Sequence, residues 1–280
     1  MNNSLLKGMG WLCVIFFCMA FKSEDEINAM KTKSLFFQLK NLAVEIKTRH
    51  YAEKGLSFLV LHDDENTGVQ AAEAYLKENG GRITELCYGG GRNLGFKINT
   101  ASYAFDPNSM FTDKGVLLNL KRYSPSKPGA TAVAVARSLG LELLKTYLSV
   151  SDDQPIITLH NNTDGRFDVN SYLSGNYLFG TADSVYVNPE MDPDDMVFVT
   201  EAGHFSYLKH ENVNVVLQSI LAPNDGSLSV YAQLNQIPYI NIEVQHGHVE
   251  ENLRLIRLIG KMLRAEQQPP FVSRTAVMKI

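Results

Sequence analysis

One stretch of the sequence, residues 56–87, constrains the fold more than any other. Residues 56–61 form a short apolar run typical of a buried parallel strand, and the run ends at a polar turn of sequence HDDENTG. Residues 69–79 then have helical character and end at a Gly-Gly pair, after which residues 82–87 resume as a strand. Because strand, turn, helix and strand make a βαβ unit, we expect an α/β fold with a mixed, mostly parallel central sheet flanked by helices.

The rest of the chain continues the alternation of helices and strands. Apolar residues at helical spacing predict a helix over residues 34–53, and residues 94–105 are typical of a hairpin. Further helices are predicted near residues 131–149, 227–236 and 249–266, and further strands near residues 155–159, 196–200, 213–218 and 238–243. Residues 161–195, rich in Asn, Asp, Gly and Tyr, are interpreted as long functional loops. One domain is therefore expected over residues 30–268, followed by an exposed tail at residues 269–280.

The N-terminal residues 1–20 have the layout of a signal peptide. Lys7 precedes an uncharged apolar run at residues 11–17, and Cys18-Met19-Ala20 offers small residues at both ends of a cleavable triplet. We therefore expect an exported protein, periplasmic or secreted. The apolar run is too short to span a bilayer, so no stable membrane span is expected after cleavage. A buried N-terminal helix is the alternative interpretation.

Charge and cysteine content argue against a nucleic-acid partner, an internal disulfide and a cysteine-built zinc site. The formal net charge is -4 and the pI is near 6.0, so nucleic acid is not expected as a partner. Without residues 1–20 the chain keeps a single cysteine, Cys87. One thiol can form neither an internal disulfide nor a cysteine-built zinc site.

Three polar clusters, each directly after an apolar strand, carry the candidate chemistry. They are residues 62–65, 160–165 and 243–248. Ligands of open α/β sheets sit outside the carboxyl ends of the strands, so these clusters can converge in one crevice. His62 and Glu65, three residues apart, with His160 from another strand end, make three protein ligands and leave a coordination position open, as in catalytic zinc sites. His62 alone would be interpreted as a hydrogen-bonded residue at a helix start.

These residues resemble a known family. His62-x-x-Glu65, with His160 lying 95 positions beyond Glu65 and Glu243 ending a later strand, is similar to the zinc carboxypeptidase and succinylglutamate desuccinylase–aspartoacylase superfamily over roughly residues 55–265. The resemblance implies a zinc carboxypeptidase-like domain. It also implies that His62, Glu65 and His160 bind Zn²⁺ and that Glu243 acts as general base and acid.

The resemblance extends to substrate-binding positions. The segment FDPNSMF at residues 105–111 is similar to the family's segment in which an Asn-Arg pair binds the substrate carboxylate. It implies a substrate-binding role for Asn108, but Ser109 stands where the arginine is expected. Arg92 is placed similarly to an arginine that polarises the scissile carbonyl, and Lys97 competes for that role.

Three further residues are candidate substrate contacts. Tyr172, in the loop after His160, could line the pocket or close it, as could Tyr177. His246 follows Glu243 closely and could contact substrate, although structural hydrogen bonds would explain it equally well.

The sequence therefore predicts an exported zinc-dependent hydrolase that cleaves an amide bond in a peptide or N-acyl amino acid. The alternative is a non-catalytic zinc- or ligand-binding protein on the same fold, suggested by Ser109. The sequence does not indicate an oligomeric state.

Overall fold

The computed structural model of the chain describes residues 30–149 and 154–267. The predicted signal peptide at residues 1–20 and the predicted tail at residues 269–280 lie outside these residues. In chain order the strands are β1 (Lys31–Leu39), β2 (Leu42–His50), β3 (Leu56–Val60), β4 (Gly81–Cys87), β5 (Leu94–Ile98), β6 (Ala101–Phe105), β7 (Ile156–Asn162), β8 (Ala182–Tyr186), β9 (Met196–Val199), β10 (Val215–Gln218) and β11 (Tyr239–Gln245). The α-helices are α1 (Asn66–Asn79), α2 (Asp113–Tyr123), α3 (Ala130–Leu148), α4 (Ala202–His210), α5 (Leu228–Leu234) and α6 (Val249–Glu266).

Nine of these strands form one central sheet in the order β1-β2-β4-β3-β7-β11-β9-β10-β8. The four strands at its centre, β4, β3, β7 and β11, are parallel. On one side of these four strands, β2 pairs antiparallel with β4, and β1 pairs antiparallel with β2. On the other side, β9 pairs antiparallel with β11, and β8 pairs antiparallel with β10. The predicted α/β domain, with a mixed sheet that is mostly parallel at its centre, is confirmed.

Both faces of the sheet are covered, which explains why strand β3 at its centre is a nearly continuous apolar run. All five residues of β3 are buried. Phe58 and Val60 pack on the face covered by α1 and α6, whereas Leu59 and Leu61 pack on the face covered by α2, α3 and α5. This alternation follows from the two-residue period of a strand, and it places one hydrophobic core on each side of the sheet.

The prediction of a helix over residues 34–53 is wrong. These residues form the β1–β2 hairpin, in which Leu39 pairs with Leu42 across a two-residue turn. In β2 the buried side chains are Val44, Ile46 and Thr48, a strict alternation that the helical spacing obscured. The turn residue Lys40 has a φ of 57°, a conformation that is usual for Gly or Asn, so the sequence contained no clear hairpin signal.

Three elements were not predicted. Helix α2 is capped by Thr112, whose hydroxyl accepts a hydrogen bond from the Gly115 backbone N–H. Strand β8 lies inside the predicted loop region and pairs antiparallel with β10. Helix α4 follows β9 directly. Within residues 30–149 and 154–267, no helix combines the length and the apolar character that a membrane crossing needs.

Candidate metal centre

The candidate metal ligands lie at the carboxyl ends of two neighbouring parallel strands. His62 and Glu65 follow β3 in the turn that leads into α1, and His160 lies near the end of β7. After β3 the chain first adds β4 on one side and later returns to add β7 on the other. The site therefore lies at a point where the strand order reverses, which is where open α/β sheets form ligand crevices.

His62, Glu65 and His160 meet, as the sequence predicted. The Nδ1 atom of His62 lies 2.8 Å from Glu65 Oε1, and Nδ1 of His160 lies 2.9 Å from the same oxygen. All three side chains are buried, and one donor atom from each falls within 4.8 Å of the others. Two imidazoles and a carboxylate are therefore close enough to share one ion.

Asp106 orients His62 from the other side of the ring. Its Oδ1 lies 2.7 Å from His62 Nε2 and also accepts a hydrogen bond from the Asn108 backbone N–H. Hydrogen bonding of Nε2 to a carboxylate fixes the tautomer and leaves Nδ1 to face Glu65, as is usual for metal-binding histidines. This role of Asp106 was not predicted, although Asp106 directly follows strand β6, as the other polar clusters follow strands.

The buried charges at this site shift one another's pKa values. Burial disfavours the charged form of His62, but Glu65 and Asp106 outweigh it and raise the pKa of His62 to about 10. Burial likewise disfavours the Glu65 carboxylate, yet His160 and His62 hold the pKa of Glu65 well below its ordinary value. Without a metal, a proton on His62 therefore compensates the buried carboxylate, and a bound cation would replace that proton.

The residues present fit a metal ion. Within the described part of the chain, His160 Nε2 and Glu65 Oε2 are buried atoms without a hydrogen-bond partner. Buried polar atoms normally have a partner, so such orphans are typical of a ligand site. Imidazole with carboxylate is a donor set that suits zinc and several other divalent transition metals.

Glu243 and Arg92 stand beside these ligands. Glu243 is in register with His160 on the adjacent strand β11, so both side chains point to the same face. It is 6% exposed, its Oε2 accepts a hydrogen bond from Asn241 Nδ2 at 3.1 Å, and burial raises its pKa. Arg92 Nη1 lies 3.6 Å from Glu65 Oε1, and its Nη2 lies 3.6 Å from Asp106 Oδ2.

Asp63 fixes the glycine-rich loop that carries Arg92. Its Oδ2 accepts hydrogen bonds from the backbone N–H groups of Tyr88, Gly89 and Gly90 at 2.6–2.7 Å. The hydroxyl of Tyr88 then donates to the Arg92 backbone carbonyl. The Gly89–Gly91 turn was interpreted from the sequence as a plain loop, and its anchoring to Asp63 explains how it places a cation at the metal centre.

A cavity of about 360 Å³ opens beside the metal centre. The residues of the predicted site that line it include Arg92, Asn108, His160, Tyr172 and Glu243. Tyr177, the second tyrosine of the loop after His160, also lines it. The Oδ1 atom of Asn108 accepts a hydrogen bond from the Leu228 backbone N–H, so Asn108 also holds the start of helix α5 against the cavity.

Two predicted substrate contacts are not among the described residues that line this cavity. Lys97 lies on β5, where strand alternation buries Phe96 and exposes Lys97 to solvent. His246 is exposed in the turn after β11 and contributes its backbone N–H to the Asn162 carbonyl.

Asp192, Asp195 and His248 form a second group whose donor atoms could hold a metal ion. Asp192 is exposed, and both oxygens of the buried Asp195 already have partners. Oδ1 accepts from the Gln245 backbone N–H, and Oδ2 lies 2.9 Å from His248 Nδ1. This group ties the turn after β11 to the start of β9.

Comparisons with known proteins found no significant match. No family model matches the chain, and neither a curated protein nor a solved structure matches it. What the site can do therefore follows from its own side chains and their geometry.

Proposed function

We propose that this chain is a zinc-dependent hydrolase that cleaves an amide bond in a peptide or N-acyl amino acid. The observation that carries the proposal is that His160 of the buried group His62, Glu65 and His160 lines a cavity that Glu243 and Arg92 also line. Three ligands of this kind, a nearby carboxylate of raised pKa and a positioned cation are the parts that metal-assisted amide hydrolysis needs.

The order of the motifs supports the same proposal. HxxE after one strand, DPN after a hairpin, His at the end of β7 and Glu near the end of β11 follow the pattern of the zinc carboxypeptidase and succinylglutamate desuccinylase–aspartoacylase superfamily. We propose membership of that superfamily and a zinc carboxypeptidase-like fold. The N-terminal sequence supports action outside the cytoplasm, in the periplasm or as a secreted protein.

His62, Glu65 and His160 would hold the zinc ion, with Asp106 orienting His62. Zinc bound there supplies Lewis acidity, which polarises the substrate carbonyl and lowers the pKa of a water molecule. Glu243 removes a proton from the attacking water and delivers it to the nitrogen of the leaving amine. Its burial favours this exchange, because it raises the pKa of the carboxyl group above its ordinary value and so makes the carboxylate a stronger base.

Arg92 stabilises the negative charge that develops on the carbonyl oxygen. Its two ion pairs, at 3.6 Å, are longer than hydrogen bonds, so its N–H groups keep the capacity to donate to a substrate oxygen. The anchored glycine loop fixes the backbone that carries the guanidinium before substrate arrives.

The test is the Glu243→Gln variant. It keeps the shape of the side chain and removes the base, so we expect zinc content equal to that of the parent and turnover lower by about 10²–10⁴-fold. Release of amine from a panel of N-acyl amino acids and peptides measures turnover, and elemental analysis measures zinc. Glu250→Gln, an exposed glutamate in the first turn of α6, is the control and should retain full activity.

Equal rates for Glu243→Gln and the parent would remove Glu243 from the mechanism. A zinc-loaded parent that hydrolyses nothing in the panel would support the non-catalytic zinc-binding alternative instead.

A further inference from the structure

Two loops at the mouth of the cavity expose large apolar side chains to solvent. Tyr177 and Phe179 lie on one loop and are 70% and 64% exposed, and Ile220 and Leu221 lie on the other and are 78% and 83% exposed. We call these four residues the apolar rim. Single exposed apolar residues are common, but a group of large ones at the mouth of a cavity is typical of a binding surface.

The apolar rim is continuous with the interior of the cavity. Tyr177 itself lines the cavity, and so do Leu178 beside Phe179 and Ala222 beside Leu221. Deeper in the cavity the walls include the aromatic rings of Tyr172 and Phe198. An apolar group that leaves the cavity would therefore pass directly onto the apolar rim.

The two loops are tied to each other, so the apolar rim is preformed. The Ser219 backbone N–H donates to the Thr181 carbonyl at 2.9 Å. The Ile220 backbone N–H donates to Asp183 Oδ2 at 3.3 Å. These bonds hold the second loop beside the segment that follows Phe179, so binding needs little ordering of backbone.

The part of the chain that carries the apolar rim has almost no cationic residues. Between Arg166 and Arg254 the sequence contains one Lys or Arg, Lys209. Its ammonium lies 5.7 Å from the centre of the Tyr186 ring, and Lys209 is not among the described residues that line the cavity. Asp225 does line the cavity. Arg92 is the cation among the lining residues, and the proposed function assigns its N–H groups to the carbonyl oxygen of the amide that is cleaved.

From these observations we propose that the substrate carries an uncharged apolar chain of several carbons that lies across the apolar rim, and that this part of the substrate has no carboxylate. The inference rests on the proposed function, because the cavity is taken as the place where the amide bond is cleaved. A carboxylate at this end would meet Asp225 without a free cation to pair with, whereas an apolar chain would bury Ile220 and Leu221.

The test measures binding separately from turnover. Glycinamide acylated with acetyl, butyryl or octanoyl chains is titrated calorimetrically into the zinc-loaded full chain carrying Glu243→Gln. Each methylene that becomes fully buried strengthens binding by about fourfold, so we expect the octanoyl compound to bind at least about tenfold more tightly than the acetyl compound. Acetyl-leucyl-leucinamide presents the same apolar chemistry from a peptide, and whichever of the two compounds binds more tightly identifies the source of the chain.

Variants test whether the gain in affinity from a longer acyl chain arises at the apolar rim. Replacement of Ile220 and Leu221 by Ser together should remove most of the gain from the longer chain. Leu234→Ser is the matched control, because Leu234 is 63% exposed at the end of α5 and does not line the cavity. It should bind like the parent. Octanoylglycine is then compared with the same compound carrying a second carboxylate on the last carbon of its octanoyl chain. The second compound should bind more weakly, because its added carboxylate would lie at the apolar rim.

Equal affinity along the acyl series, no binding of any compound, or an unchanged preference in the Ile220/Leu221 variant would overturn this inference. Failure of the proposed function gives a different result. A chain with native Glu243 that binds the octanoyl compound more tightly but releases no amine would retain the apolar subsite and refute the hydrolase.

Discussion

Two glycines pack backbone against backbone where helix α2 meets a wall of the cavity, and this contact makes Gly115→Ala an informative change. A Cβ added to Gly115 would lie 2.6 Å from the Asp225 carbonyl oxygen and even closer to the Gly226 backbone. Gly226 has a φ of 87°, and the residues around it belong to the segment that includes Asp225 and Ser227 of the cavity wall. The wall must therefore move before an alanine fits.

The expected change in the free energy of unfolding is the balance between steric overpacking and helix propensity. An ordinary contact needs about 3.4 Å or more, and the opposing atoms are backbone that cannot rotate away. Overpacking of this kind costs about 1–3 kcal/mol. Alanine is better than glycine in a helix by at most about 1 kcal/mol, so the steric cost wins. We expect a net loss of about 1–2 kcal/mol, which corresponds to a decrease in Tm of roughly 2–8 °C for a chain of this size.

Chemical and thermal denaturation measure the stability, and the Gly203→Ala variant is the control. Gly203 also lies in the first turn of a helix, α4, but an added Cβ there would meet no atom within 4 Å. Gly203→Ala should be neutral or slightly stabilising. Because the metal ligands lie on other elements, Gly115→Ala should retain zinc while its KM rises. Equal stability of the two variants would refute the packing argument.

Two further predictions concern the metal centre. The pKa of His62 is raised to about 10 in the metal-free chain, so its proton is present at neutral pH and must be displaced by zinc. Apparent zinc affinity, measured by chelator competition, should therefore rise by about tenfold per pH unit between about pH 7 and 9, and a flat profile would contradict the raised pKa. Asp63→Ala removes the acceptor of three backbone N–H groups in the loop before Arg92, so kcat should fall by up to about 100-fold, the cost of a lost oxyanion donor. Unchanged kcat at unchanged zinc content would show that the loop does not position Arg92.

The parts of the fold that could be predicted are those in which one physical pattern dominates. The continuous apolar run of β3 and the polar turn after it have one good interpretation, a buried parallel strand that leads into a helix. The β1–β2 hairpin could not be predicted, because its apolar residues fit both the helical and the strand period and its turn uses Lys40 in place of glycine. Most of β1 is exposed, so burial gave little further constraint.

The candidate site also has parts that could be predicted from the sequence and parts that could not. His62, Glu65 and His160 could be predicted to meet, because strand ends of a parallel sheet share one edge. Asp106 lies 44 positions from His62, and only the three-dimensional path of the β5–β6 hairpin brings it to the imidazole. The apolar rim also depends on tertiary structure, since hydrogen bonds between two distant loops assemble it.

Metal content is the most direct measure of whether two imidazoles and a carboxylate form a zinc site. The purified chain and its His160→Ala variant are dialysed against the same trace-metal buffer and analysed for zinc, with circular dichroism to verify that both are folded. We expect about one zinc ion per parent chain and little or none in the variant, because two remaining ligands bind zinc weakly. A folded parent chain without zinc, or equal zinc in the two proteins, would contradict the metal centre and with it the proposed hydrolysis.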